Sequence, residues 1–335
     1  MSAQTSHYES DALPTETVDV VVIGGGAAGL NGALMLARSR RSVVVIDSGT
    51  PRNAPASAMH GFIVLDGTPP PEILKRGRQQ VREYRGQIVF GEVATAEPAA
   101  PSTDGDLRFA ITLADGRTLT ARRVLVATGL RDVLPEVPGL AEHWGRNVVH
   151  CPYCHGYEVR DERIGILATG PASVHHAWLF RQLTDDLIYF TRGTELHADT
   201  RARFAARNIR IIETDVKEVV NGDDGALAGV RLADDTFVER RVLAVATQMQ
   251  ARTEGLDGLK LPMEDLPDNM GRRFSSAMAG TTEIPGVWVA GNATDLTAQV
   301  GASAAAGALA GSHINALLAT ADTDAALAAA QMTTG

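Results

Sequence analysis

Short apolar runs that end on glycine-rich turns recur along this chain, alternating with stretches whose apolar residues are spaced three and four apart. Residues 18–23 form the first run. Its β-branched character is that of a central parallel strand covered on both faces. The turn Gly24-Gly25-Gly26-Ala27-Ala28-Gly29 follows, then a helix whose Leu30, Leu34, Leu36 and Ala37 share one side, then a second strand over 42–46 that ends at Asp47. Farther on, residues 111–129 alternate around Asp115-Gly116 and run into an apolar strand ending at Ala127-Thr128-Gly129, which reads as a hairpin. Residues 230–248 repeat that stretch nearly residue for residue about 119 positions later. The chain is therefore expected to hold two copies of one α/β design. In the second copy, 164–169 followed by Gly170-Pro171-Ala172-Ser173 takes the place of the first strand and turn. Ala168 and Ser173 stand where the first and third glycines belong, and only Gly170 keeps the close-approach position. The alanine-rich stretch 301–319 is interrupted by Ser303, Ser312, His313 and Asn315, so it reads as a buried helix packed through small residues rather than a membrane span.

Each glycine of the first turn has a mechanical task. Gly24 permits the tight turn, Gly26 lets the backbone approach a pyrophosphate, and Gly29 lets helix and strand pack closely. The helix N-terminus faces the phosphates, and Asp47 is placed to accept hydrogen bonds from a ribose. Strand, turn, helix, strand and terminal acid in this order outweigh a ligand-free glycine loop.

The chemistry is concentrated in Cys151-Pro152-Tyr153-Cys154-His155, which holds the only two cysteines of the 335 residues. This spacing puts two sulfurs within reach of reversible disulfide formation. A structural zinc site needs four ligands, and His150 and His155 are too close in sequence to complete a tetrahedron. A purely structural disulfide across so short a loop would constrain little of the unfolded chain. His155 can take a proton from an incoming thiol or stabilise a thiolate. His60 reads as more structural than functional. Asn53, in the loop after Asp47, is equally a cofactor contact or a solvated loop residue.

Composition narrows the partners. A formal charge of −9 and the lack of basic clusters argue against nucleic acid. Residues 1–16 have neither a basic start nor an apolar stretch, so they read as a disordered leader, and no secretory signal points to the cytoplasm. There, a Cys-x-x-Cys pair is more often catalytic than structural.

Taken together, the glycine turn, Ala127-Thr128-Gly129, the Cys-x-x-Cys just before the second copy's first strand and the late Val289-Ala290-Gly291 strand end resemble the low-molecular-weight thioredoxin reductase family over nearly the whole chain. That resemblance implies two Rossmann-like dinucleotide-binding domains, the second inserted in the first. A discontinuous FAD domain would span 17–134 and 257–335, an NAD(P)H-type domain with the Cys-x-x-Cys would span 135–256, and the protein would be a homodimer. It implies Cys154 as the flavin-proximal sulfur and Cys151 as the one that exchanges with substrate. Gln299 and Val300 would lie against the flavin, Gly291-Asn292 near its ribityl chain, and Thr128 and Gly129 at the cofactor. Gly170 and Arg192 would remain for NADPH. Thioredoxin reductases place an aspartate after the second cysteine, where this chain has His155, and a His-Arg-Arg run where it has Thr191-Arg192-Gly193. Losing one charged contact weakens NADPH binding by roughly ten- to a hundred-fold. The run from Cys151 to Glu158 instead resembles the thioredoxin-reductase-like dithiol oxidases. These close disulfides in small natural products such as gliotoxin, holomycin and romidepsin, many returning electrons to O2. Three readings stand: a dithiol oxidase with a small-molecule dithiol as partner, an NADPH-dependent disulfide reductase serving a thioredoxin-like protein, and a non-catalytic flavin redox sensor.

Overall fold

A computed structural model describes residues 10–102 and 105–333 of the chain. Strand β1 (Val18–Ile23), helix α1 (Ala27–Arg38), strand β2 (Val43–Asp47), helix α2 (Pro70–Glu83) and strand β3 (Gln87–Phe90) alternate along the first part. The antiparallel strands β4 (Val93–Ala99), β5 (Arg108–Leu113) and β6 (Thr118–Val126) follow. Parallel pairing gives the order β3-β2-β1-β6, and β1 is apolar on both faces because it lies inside this sheet, with Val20, Val21 and Val22 fully buried.

Strand β7 (Leu130–Val133) leaves that sheet, and β8 (Val148–Val149) and helix α3 (Pro152–His155) lead into a second one. Strand β9 (Ile164–Leu167), helix α4 (Ala172–Phe180), strand β10 (Leu187–Phe190), helix α5 (Ala198–Ala206) and strand β11 (Arg210–Ile212) repeat the earlier alternation. The meander β12 (Val216–Asn221), β13 (Leu227–Leu232) and β14 (Phe237–Glu239) then precedes β15 (Val242–Val245), which closes the sheet order β11-β10-β9-β15-β8. The chain crosses back through β16 (Gln248–Ala251), β17 (Met263–Leu266) and β18 (Gly271–Phe274). Finally β19 (Val287–Val289) pairs in parallel with β6, and helix α6 (Val300–Thr333) covers α1. The chain thus leaves the first sheet and returns to it, with the second sheet in between. This is the nested pair of Rossmann-like units expected from the repeat.

The repeat itself is visible, with one break. In the first copy β6 is continuous, pairing with β5 through Thr118–Ala121 and with β19 beyond Val124. In the second copy the equivalent strand splits into β14 and β15 around Arg240, whose buried guanidinium reaches Asp186 at 2.8 Å. The reading of 164–169 as strand is trimmed to Ile164–Leu167. The long apolar helix extends beyond the expected 301–319, and no helix among the described residues is long and apolar enough to cross a membrane.

Glycine decides the closest contacts. A Cβ on Gly29 would lie 1.9 Å from Gly24 O, and one on Gly307 would lie 1.9 Å from Ala28 O, so α1 meets both its own turn and α6 backbone to backbone. The leader departs from expectation. Residues 1–9 lie outside the described residues, but Asp11 donates its amide to Ile88 O at 2.9 Å and accepts from Ile88 N at 2.7 Å, while Ser10 Oγ accepts from Phe90 N. The segment fastens to β3 because an outer strand leaves backbone groups that need partners.

Candidate active site

The C-terminal ends of β1, β2 and β6, the start of α6, and the segment from β8 through α3 surround one cleft of about 1530 Å³. A site for a single small ligand is typically about 300–1,000 Å³, so there is room for a large cofactor and a substrate together.

Its first end is a nucleotide cradle. Gly24 turns at φ +107°, and a Cβ there would meet Ala127 O at 2.3 Å. A Cβ on Gly26 would meet nothing within 4 Å among the described residues, so the backbone is open to a ligand at the position read from sequence as the pyrophosphate approach. Asp47, buried at the end of β2, packs its carboxylate against Gly25 and accepts from Gly49 N at 3.0 Å. Asn53 lines the cleft in the following loop. Thr128 donates its hydroxyl to Arg252 O at 2.8 Å, and Gly129 turns at φ +71° beside it. Gly291 turns at φ +73°, and Asn292 sends its amide nitrogen to Ala298 O at 2.8 Å and Asp295 O at 3.0 Å. Asn292 therefore shapes the loop that delivers Gln299 and Val300 to the cleft at the start of α6.

At the other end Cys151 and Cys154 are joined as a disulfide with Cα atoms 5.2 Å apart. Pro152 starts α3 immediately, and the Cys154 amide donates to Cys151 Sγ at 3.1 Å. Gly156 permits the tight exit, since a Cβ there would meet Pro152 O at 2.1 Å. His155 ends this short helix on the cleft wall. Among the described residues neither of its ring nitrogens has a hydrogen-bond partner, although both are buried. Burial lowers its pKa from the ordinary histidine value, against the pull of Glu158 and with a further push from His60. A neutral imidazole with a free lone pair beside a redox disulfide can accept a thiol proton.

Several neighbours were not foreseen. His150, read only as a rejected zinc ligand, is buried with Nδ1 3.1 Å from Val245 O and 3.2 Å from Thr247 Oγ1. The Thr247 hydroxyl donates to Asp132 Oδ1 at 2.7 Å, and Arg52 grips the same carboxylate through two bonds of 2.7 Å. Burial alone would raise the Asp132 pKa, but Arg52 and Thr247 hold it below the carboxylate range. Thr128 and Thr247 occupy matching positions in the repeat, so the signal was present, though their opposite partners lie across the fold. His60, weighed as structural, lies on the cleft wall with Nε2 3.4 Å from Glu158 Oε1 and Nδ1 3.3 Å from Asp66 Oδ2. His176 is buried and donates from its ring to His150 O, whereas the adjacent His175 is exposed, as their helical spacing requires. Among the described residues no His, Cys, Asp and Glu cluster could hold a metal ion.

The second turn is more closed than the first. Ser173 Oγ accepts from Thr169 N at 3.0 Å within it, and Arg192 Nη1 donates to Ala168 O at 2.9 Å. Gly170 still lines the cleft.

A model of the pyridine nucleotide-disulphide oxidoreductase family matches residues 18–310. The chain is 36% identical over 282 residues to thioredoxin reductase tcpT of Claviceps purpurea, covering 82% of this chain and 86% of that protein. It is 30% identical over 311 residues to thioredoxin reductase sirT of Leptosphaeria maculans, covering 89% and 93%. The crystal structure of HlmI superposes with a TM-score of 0.88 at 43% identity, over 95% of this chain and 98% of that one.

Proposed function

The chain belongs to the pyridine nucleotide-disulphide oxidoreductase family, and from that premise we propose that it is a dithiol oxidase that closes a disulfide in a small molecule and passes the electrons through FAD to O2. It is an oxidoreductase of the thioredoxin-reductase-like kind, whose cofactor is FAD. The observation that carries the finer reading is His155: a buried, unbonded imidazole one residue past Cys154, in the same cleft as the open Gly26 cradle.

Gly24, Gly26, Gly29 and Asp47 would hold the dinucleotide. Asn53, Thr128, Gly129, Gly291, Asn292, Gln299 and Val300 would line the rest of its site. When bound, FAD supplies a two-electron acceptor for the reduced cysteine pair. A substrate thiolate attacks Cys151 Sγ; the Cys151–Cys154 bond breaks and Cys154 leaves as a thiolate. His155 then takes the proton of the substrate's second thiol. That sulfur attacks its mate in the mixed disulfide and releases Cys151 as a thiolate, so the substrate is oxidised and the enzyme pair reduced. Residues 17–134 with 257–335 would form the FAD-binding unit and 135–256 the unit carrying the cysteines, in a homodimer of the cytoplasm, where substrate dithiols stay reduced. The inward turn of Arg192 and the Ser173-filled loop support an oxidase over an NADPH-driven reductase.

Anaerobic spectroscopy of the holoenzyme tests this. A dithiol such as dithiothreitol should bleach the flavin band, and admitted oxygen should restore it. Bleaching by NADPH with no response to dithiols would overturn the proposal in favour of the reductase, and silence toward both would favour a sensor.

A further inference from the structure

The dithiol chemistry above leaves one quantity unbalanced at His155. Oxidising a dithiol removes two electrons and two protons, whereas one imidazole holds one proton. If His155 serves both substrate sulfurs, it must discharge between the first deprotonation and the second. Its own nitrogens offer no outlet, since both are buried and without a hydrogen-bond partner among the described residues. The titratable groups whose fields reach it are Glu158 and His60.

These two groups touch. His60 Nε2 lies 3.4 Å from Glu158 Oε1, and the opposite ring nitrogen lies 3.3 Å from Asp66 Oδ2. Side-chain exposure rises along this line, from 22% at His60 through 40% at Glu158 to 62% at Asp66, so the chain of groups leads from the buried base to water. The loop that carries His60 is built to hold it there. Met59 and Thr68 close its base as an isolated bridge, and Asp66 Oδ1 accepts from Gly61 N at 2.8 Å. Between them Val64 is held at φ +74°, a conformation that β-branched residues avoid and that persists only where its surroundings impose it.

We propose that His60, held between Glu158 and Asp66, is the proton outlet of the site: a positioning residue that clears His155 for the substrate's second thiol. Glu158 passes the proton from the His155 imidazolium to His60 Nε2, and the opposite nitrogen yields its own proton through Asp66 to water. No electrons move in this step, and it returns each group to its starting state.

This inference rests on the dithiol oxidase reading, and one experiment separates the two. The wild-type holoenzyme and the His60→Gln and Glu158→Gln variants are mixed anaerobically with dithiothreitol across pH 5.5–9, and flavin bleaching is followed by stopped flow. A single general base typically contributes about 10²–10⁴-fold, so each variant should slow bleaching about tenfold or more at neutral pH. Added imidazole should restore the His60→Gln rate, and FAD content and melting temperature should match wild type. Wild-type rates and an unchanged pH profile in His60→Gln overturn the outlet alone, as does a loss that imidazole leaves in place. A wild-type protein that no dithiol bleaches overturns the oxidase reading itself.

Discussion

His155 and Cys154 differ in how their neighbourhood sets their chemistry. Cys154 acts through a bond to Cys151 that local spacing alone makes possible, whereas His155 is a base only because burial keeps its imidazole neutral. The sign follows from that cause. A depressed pKa means the ring loses its proton at lower pH, so the base is ready across the neutral range and is lost only as pH falls through a value below about 6.5. The dithiol-driven bleaching rate is therefore expected to be flat above pH 7, with its acid limb below pH 6.5; an inflection above the ordinary histidine value would contradict this. Replacing His155 by Asn should reduce that rate by about 10²–10⁴-fold while FAD stays bound, as read by stopped flow and by the flavin spectrum.

At the scale of elements, three glycines of one turn have separable roles. Gly29 is required by packing, since its Cβ would meet Gly24 O at 1.9 Å, whereas a Cβ on Gly26 meets nothing within 4 Å. A Gly29→Val change should cost several kcal/mol and leave little folded protein, because backbone cannot yield as a side chain does; overpacking typically costs about 1–3 kcal/mol. Gly26→Val should melt within a few degrees of the wild-type apoprotein yet purify colourless, because the added methyls occupy the cofactor's approach. Thermal melts and the flavin-to-protein absorbance ratio check both outcomes. The strands, α1 and the hairpin around Asp115-Gly116 were readable because period and turn chemistry are local properties. The break between β14 and β15 was not: Arg240 interrupts a run that looks continuous in sequence, and what holds it is Asp186, far away along the chain.

Across the whole molecule, the two sheets meet through the antiparallel pair β7 and β16, and the repeat contributes a threonine to each side of that joint. Thr128 reaches Arg252 O, and Thr247 reaches Asp132, which Arg52 holds from the first unit. Asp132 has a side chain only 3% exposed, so this pair is of the kind whose disruption matters. Asp132→Asn should lower stability by about 1–3 kcal/mol in urea unfolding of the holoenzyme. Arg203→Ala, which breaks the exposed i,i+4 pair with Asp199, should change it by less than about 1 kcal/mol. Equal effects would mean that the joint contributes no more than a surface contact. The sequence by itself determined the alternation of elements, the duplicated design, the open cradle at Gly26 and the adjacency of two sulfurs and an imidazole, because each is written in neighbours a few positions apart. Only the tertiary structure decided that the second turn is closed by Ser173 and Arg192, that His150 is tied into a buried network, and that His60 stands beside Glu158. Those contacts join segments separated by tens of residues or more, and hydrogen bonding and desolvation depend on where groups lie in space, whatever their distance along the chain.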